Sequence, residues 1–406
     1  MKKRTVLSFF ATALLAGAVL SGCGNDEKTA VEPVTTESEV VEETDTEDAT
    51  SAVETVAVEE SLTGKQLTAY HTMMDEAGKA KEGQVVDWEL VSMTYTEGLQ
   101  SAVTEVDESY DQGITAAIGA AINSEIEPII AKQLVDKLSQ AYFYQKQKNL
   151  HKDVIAALEA KDQPKAEAAF EEIKFLVNGL LLPTAMKRDE YYKFPNDSSM
   201  EENILTGLST QEEALKAGNL DDYKVFLQIT DKSVYRSYFL AARSYAEKIE
   251  AAVKEGKSGL DLQIMQAEAW GFYQAIKGSL SGGDEAAAAR LDEIFSLSTT
   301  PAETIKAQEV QNLFVKAIVG KITGYHEKVV TSLAEEKVVD ARIQALEGNM
   351  FSKAIELDLK AKLGEDKAVE TLKQAEEWYN AIIDGNKDKA STHSKAVVDA
   401  LTELVK

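Results

Sequence analysis

Apolar residues recur at helical spacing almost throughout residues 63–406, and alternating strand-like runs are scarce. Ile249, Ala252 and Val253 fall on one helical face, as do Val329, Val330 and Leu333. Ala, Glu, Lys and Leu, all good helix formers, dominate the stretch. The fold class predicted is therefore all-α. This length exceeds what one core comfortably serves, so the pattern predicts either two packed bundles, 63–199 and 200–406, or one continuous helical stack. Helix breaks are legible at Lys161-Asp162, Gly218-Asn219, Gly283-Asp284 and Gly385-Asn386. At such a break glycine supplies a left-handed residue after one helix, and Asp or Asn caps the next. Pro164 sits where a helix start tolerates a missing N–H. The stretches Pro183–Ser199 and Ser296–Pro301 read as irregular.

The helices also repeat. Tyr70-His71, Leu150-His151, Tyr245-Ala246 and Tyr325-His326 are each followed, about twenty residues on, by Glu-x-x-x-(Phe or Met). Those second markers are Glu89 with Met93, Glu171 with Phe175, Glu268 with Phe272, and Glu347 with Phe351. The third and fourth copies agree best: Ile264, Glu268, Phe272, Ala275 and Ile276 match Ile343, Glu347, Phe351, Ala354 and Ile355. A period near 80 residues is too long for one helix pair, and about four such units are expected.

The N-terminal part is different in kind. Lys2, Lys3 and Arg4 precede an apolar run from Val6 to Leu20, too short to span a bilayer, and Leu20-Ser21-Gly22 leads into Cys23, the chain's single cysteine. Residues 24–62 then carry thirteen Asp and Glu against Lys28 alone, with no aromatics. Low hydrophobicity and high charge cannot offset the entropy of ordering, so this stretch is expected to be a disordered acidic linker. As a flexible coil it would average ~35 Å end to end.

The run Leu20-Ser21-Gly22-Cys23 resembles the lipobox of bacterial lipoprotein precursors. The resemblance implies that residues 1–22 are a signal peptide, removed on export. It also implies that the Cys23 thiol carries a diacylglyceryl group, and that the chain is anchored to the cell membrane facing outside the cytoplasm. Two acyl chains at one residue suit stable attachment. An acidic linker behind such an anchor fits a Gram-positive cell surface. With one cysteine there is no intrachain disulfide, so packing must carry the stability.

Candidate chemistry centres on the four histidines, His71, His151, His326 and His393. Three share the repeat position, and the following helix brings Glu89, Glu171 or Glu347 within possible reach across a hairpin. A His–Glu pair beside an apolar stripe reads either as a ligand set for iron, haem or a divalent metal, or as a satisfied polar pair in a helical core. Ala246 in the third copy shows that the repeat does not require the imidazole. Gly324-Tyr325-His326 resembles part of the Gly-x-His-x-x-Glu motif of imelysin-like proteins, helical surface proteins linked to iron uptake, but Val329 stands where that motif has Glu. A zinc-protease helix is excluded because Val330 occupies the second His position after His326-Glu327. No phosphate-binding glycine loop and no Gly-x-Ser-x-Gly element occurs.

A net charge of −26 disfavours nucleic acid. The aromatic groups Tyr142-Phe143-Tyr144, Tyr235 with Tyr238 and Phe239, and Trp270 with Phe272 and Tyr273 read as core. Tyr191, Tyr192 and Phe194, in the Pro-flanked stretch beside the basic pair Lys187 and Arg188, read as an exposed contact surface. Together these features predict a non-enzymatic, lipid-anchored extracytoplasmic protein that binds an envelope protein or a soluble ligand. The alternative is a metal, iron or haem carrier of an uptake system.

Overall fold

The computed structural model of the chain describes residues 57–406. The signal segment, Cys23 and the acidic linker as far as residue 56 lie outside the described residues. A short turn at Val58–Glu60 lies inside the stretch assigned to the linker, and Ser61 then caps the first helix by accepting the Gly64 N–H at 3.1 Å.

All the regular structure that follows is helical, with no strand among the described residues. The helices are α1 (Leu62–Gly78), α2 (Trp88–Gly98), α3 (Gln100–Val106), α4 (Glu108–Ile122), α5 (Pro128–Glu159), α6 (Gln163–Leu176), α7 (Leu182–Tyr192) and α8 (Met200–Lys216). Next come α9 (Leu220–Lys254), α10 (Leu260–Ser281), α11 (Glu285–Phe295), α12 (Ala307–Ala334), α13 (Val338–Ala354), α14 (Glu356–Leu363), α15 (Glu365–Ile383) and α16 (Lys387–Leu404). The repeat markers fall on successive hairpins: α1 with α2, α5 with α6, α9 with α10, and α12 with α13.

The long helices α5, α9 and α12 organise the packing. Each is preceded by a shorter helix that packs on it (α4, α8, α11) and followed by another (α6, α10, α13). The following helix in the last two cases also lies on the preceding long helix, α10 on α5 and α13 on α9. Units are thereby interleaved. The main apolar core runs from Leu67 to Leu404, crossing residues 199 and 200 without a break, and the aromatic groups assigned to the core are in it.

Asp162, Asn219, Asp284 and Asn386 all cap their helices through a side-chain oxygen. Gly218 and Gly385 have positive φ, and so does Lys161 at +59°, a conformation that favours glycine. Gly283 is the exception: its φ is not positive, and glycine is needed there for space. A Cβ at Gly283 would lie 2.0 Å from the Ala317 carbonyl, because the turn before α11 rests on α12.

The stretch Pro183–Ser199 is a correction. Pro183 sits in the first turn of α7, directly after a π-helical segment, Val177–Leu181, and the helix continues to Tyr192. Only residues 193–199 leave it, and Asp189 closes that corner. Its carboxylate accepts from Ser199 Oγ (2.9 Å) and from the Met200 and Glu201 N–H groups (3.0 and 2.9 Å), capping α8. The proline misled because it opens a helix turn, where its missing donor is harmless.

Candidate functional site

Helices α1, α5, α7 and α10 enclose a cleft of about 370 Å³, to which α9 contributes Tyr245. From α5 come Lys132, Asp136 and Gln140 at four-residue spacing, hence on one face, with Lys137 beside them. Tyr70, His71 and Met74 of α1 form another wall, with Lys81 from the turn that follows. The π-segment supplies Gly179 and Leu180, and α7 supplies Pro183, Thr184, Lys187 and Arg188. Glu268 and Phe272 of α10 complete it. Gly271 allows α10 to approach so closely, since a Cβ there would sit 2.3 Å from the Lys137 Cβ.

The floor is a buried polar network around Asp136. Its carboxylate accepts from Tyr70 Oη (2.7 Å), Gln140 Nε2 (2.6 Å), Lys132 Nζ (2.5 Å) and Lys137 Nζ (2.9 Å). Burial alone would raise this carboxyl group's pKa, but the two ammonium groups outweigh burial and hold it well below the usual range. Burial pushes Lys132 down, against the pull of Asp136. The Tyr70 phenol is pushed well up, first by burial and then by the Asp136 charge. The Tyr245 phenol is pushed up, first by burial and then by the Glu268 charge.

Five cations thus face two carboxylates in one cleft of a strongly acidic chain. The rim cations are the least compensated. Lys81 and Lys187 are exposed and make no ion pair among the described residues. Arg188 donates from one Nη to Ser244 Oγ at 2.9 Å, while its buried Nε has no partner. Gln140 is 6 % exposed, and its Oε1 is likewise unpartnered.

The repeat builds the same wiring a second time. Asp231-Lys232 on α9 precedes Tyr245 by the interval that separates Asp136-Lys137 on α5 from Leu150. Lys137 Nζ lies 4.8 Å from the Phe272 ring, and Lys232 Nζ lies 5.8 Å from the Phe351 ring. Tyr245 stacks on Phe272 as Tyr325 stacks on Phe351. The second copy is closed, however: Lys232 bridges Asp231 (2.5 Å) and Glu347 (2.9 Å), and Tyr144 donates to Asp231 at 2.9 Å. In the cleft, Lys137 reaches Asp136 but makes no ion pair with Glu268. The Asp-Lys pairs were the residues of this candidate site that the sequence reading missed, although their equal spacing from the repeat markers was available.

The four histidines do not converge. His71 is exposed at the cleft, edge-on to Tyr70 at 5.3 Å. His151 is buried with Nδ1 2.9 Å from Tyr223 Oη. His326 stacks on Trp378 at 3.6 Å and contacts Ser394 Oγ through Nδ1 at 2.6 Å. His393 contacts Gln374 Oε1 at 2.6 Å. The glutamates considered as their partners lie elsewhere: Glu89 is exposed, Glu171 pairs with Lys174 at 2.6 Å, and Glu347 belongs to Lys232. Among the described residues no group of three or more His, Cys, Asp or Glu is placed to hold a metal ion.

The contact surface assigned to the α7 end is partly absorbed into the fold. Tyr192 Oη donates to the Leu240 carbonyl at 3.3 Å, and Phe194 packs under the Arg236 guanidinium at 4.4 Å. Tyr191 stays exposed, with Lys248 4.8 Å from its ring. Lys187 and Arg188, read as a local basic spot, instead form the rim of the cleft. No protein-family model, curated protein or solved structure matches this chain.

Proposed function

We propose that this chain is a non-enzymatic, lipid-anchored protein outside the cytoplasm that captures a soluble, negatively charged ligand in the α1–α5–α7–α10 cleft. One observation carries the reading: Lys81, Lys132, Lys137, Lys187 and Arg188 gather around Asp136 and Glu268 in a chain of net charge −26. Gathering like charges is unfavourable unless something of opposite sign occupies the space, and a concave site with low-dielectric walls concentrates that field. Its volume falls within the range of small-molecule sites.

One feature favours binding over catalysis. Asp136 is already saturated by four donors and is no free general base. The address rests on the Leu20-Ser21-Gly22-Cys23 resemblance, and the linker sets a reach from the membrane.

The test is a thermal-shift and calorimetric titration of the full chain with small anions, neutral compounds and cations of matched size. Anions should raise the melting temperature and bind, with affinity falling as salt rises. Equal or absent responses to all three classes would refute the reading.

A further inference from the structure

Resting on that reading, the cleft also holds the means to regulate its own capture. His71 is exposed on α1 and lines the cleft beside Tyr70. The chain's other three histidines are not part of the lining. An imidazole changes charge between about pH 5 and pH 8, a range in which lysine, arginine and tyrosine ordinarily do not.

The groups around it leave it as the variable charge. On α5, Lys132 and Lys137 hold Asp136 as an anion across that range, from 2.5 and 2.9 Å. Burial pushes Lys132 down, but Asp136 remains its partner. α7 presents Lys187 and Arg188, and the turn after α1 presents Lys81. The Tyr70 and Tyr245 phenols are both pushed up by burial and stay neutral. The remaining carboxylates are Glu268 of α10 and, four residues along α1 from His71, exposed Asp75. With His71 neutral the lining sets five cations against two carboxylates, and a proton on the imidazole adds one more cation.

We infer that His71 makes anion capture proton-dependent: its imidazolium adds a sixth cation to the lining and tightens the hold on an anion, and its neutral form loosens it. Binding and protonation are then linked in both directions, so an anion in the cleft favours the proton on His71 by the factor that the proton favours the anion. At the address proposed above, capture strengthens as the surroundings acidify.

Calorimetry on the full chain with sulfate, a dianion whose own charge does not change in this range, tests the coupling at low salt. The parent chain should bind sulfate about fivefold more tightly at about pH 5.5 than at about pH 8, as one added charge acting on a dianion in a solvated cleft provides. His71→Gln should bind equally at both pH values, at the weaker level. His71→Lys should also bind equally at both, at the tighter level. In the parent, the titration midpoint of the His71 resonance should rise by about 0.7 in pH when sulfate is present, which is the same fivefold factor. Sulfate affinity that does not change with pH, a pH dependence kept by both variants, a His71→Lys chain as weak as His71→Gln, or an unmoved His71 midpoint would each overturn the role of His71 and leave anion capture standing. No sulfate bound at either pH would overturn both.

Discussion

His151 and His326 are 3 % and 4 % exposed, and burial pushes each imidazole down to about 4 from an ordinary value near 6.5. For His151 the Asp231 charge opposes burial without overcoming it. The folded value lies below the unfolded one. As pH falls, the unfolded chain therefore takes up the proton first, and unfolding is favoured. The contribution to stability is full above about pH 6.5 and is lost progressively as pH falls toward about 4. A shift of this size corresponds to about 3 kcal/mol for each residue once pH is below both values. Integrating the linkage relation from about pH 7.5 to about pH 5 gives a loss of roughly 2 kcal/mol per histidine, or about 4 kcal/mol for the pair. Asp136 and Asp231, held low by their lysines, add losses only at more acid pH. Asp358, raised by burial, acts in the opposite direction. Urea unfolding followed by helical ellipticity at the two pH values, for the parent chain and for His151→Gln and His326→Gln, isolates the imidazole share. Each substitution should remove about half of the pH-dependent loss. An unchanged pH dependence in both variants, or His151 and His326 resonances titrating near 6.5, would refute the reasoning.

Other expectations follow from single contacts. Arg236, buried against Glu356 (3.2 Å) and the Ser198 carbonyl (2.8 Å), ties α14 to α9. Arg236→Met should cost about 3 kcal/mol in urea unfolding, since it strips a buried partner from a charge; a loss under about 1 kcal/mol would show that Lys360 compensates. Gly271→Ala should cost about 2 kcal/mol through collision with Lys137 and should weaken anion binding, both read from one unfolding and titration series. Cys23→Ala should shift the exported chain from the membrane fraction to the medium, and continued membrane retention would sink the lipid-anchor proposal.

Much of this architecture was legible because helical periodicity and capping are local. Asp162, Asn219, Asp284 and Asn386 each signal their helix start within three residues, and the structure uses all four. Pro183 shows where local reading fails. The same residue ends or opens a helix depending on whether the carbonyl four residues back has another use. The cleft was less accessible, because it joins residues near 70, 136, 187 and 268, and no periodicity connects them. Lys187 and Arg188 stood out as a basic spot beside an aromatic contact surface, and His71 as a repeat position and candidate metal ligand. The histidines lie apart from one another and from the repeat glutamates for a related reason. Sharing a place in a repeat puts side chains in equivalent surroundings on different hairpins, which separates them rather than gathering them.

The closed copy shows what the open one forgoes. Lys232 sits between Asp231 and Glu347, and those two carboxylates together outweigh its burial and raise its pKa. In the cleft the corresponding Lys137 pairs with Asp136 alone, and α7 then adds Lys187 and Arg188 to a site that already holds three lysines. Lys132 and Lys137 share Asp136, but Lys81, Lys187 and Arg188 add positive charge with no ion pair among the described residues, so the cleft should be a site of stored electrostatic repulsion. Relief should therefore stabilise: Lys187→Gln, at an exposed position outside the core, should raise stability by about 0.5 kcal/mol at low ionic strength, and added salt should erase the gain. The same substitution should lower anion affinity, because repulsion in the empty cleft and attraction for a ligand arise from one charge distribution. If Lys187→Gln destabilised the chain in low salt, the rim would be held by contacts other than charge, and the cleft's positive field would no longer be the reason for its shape.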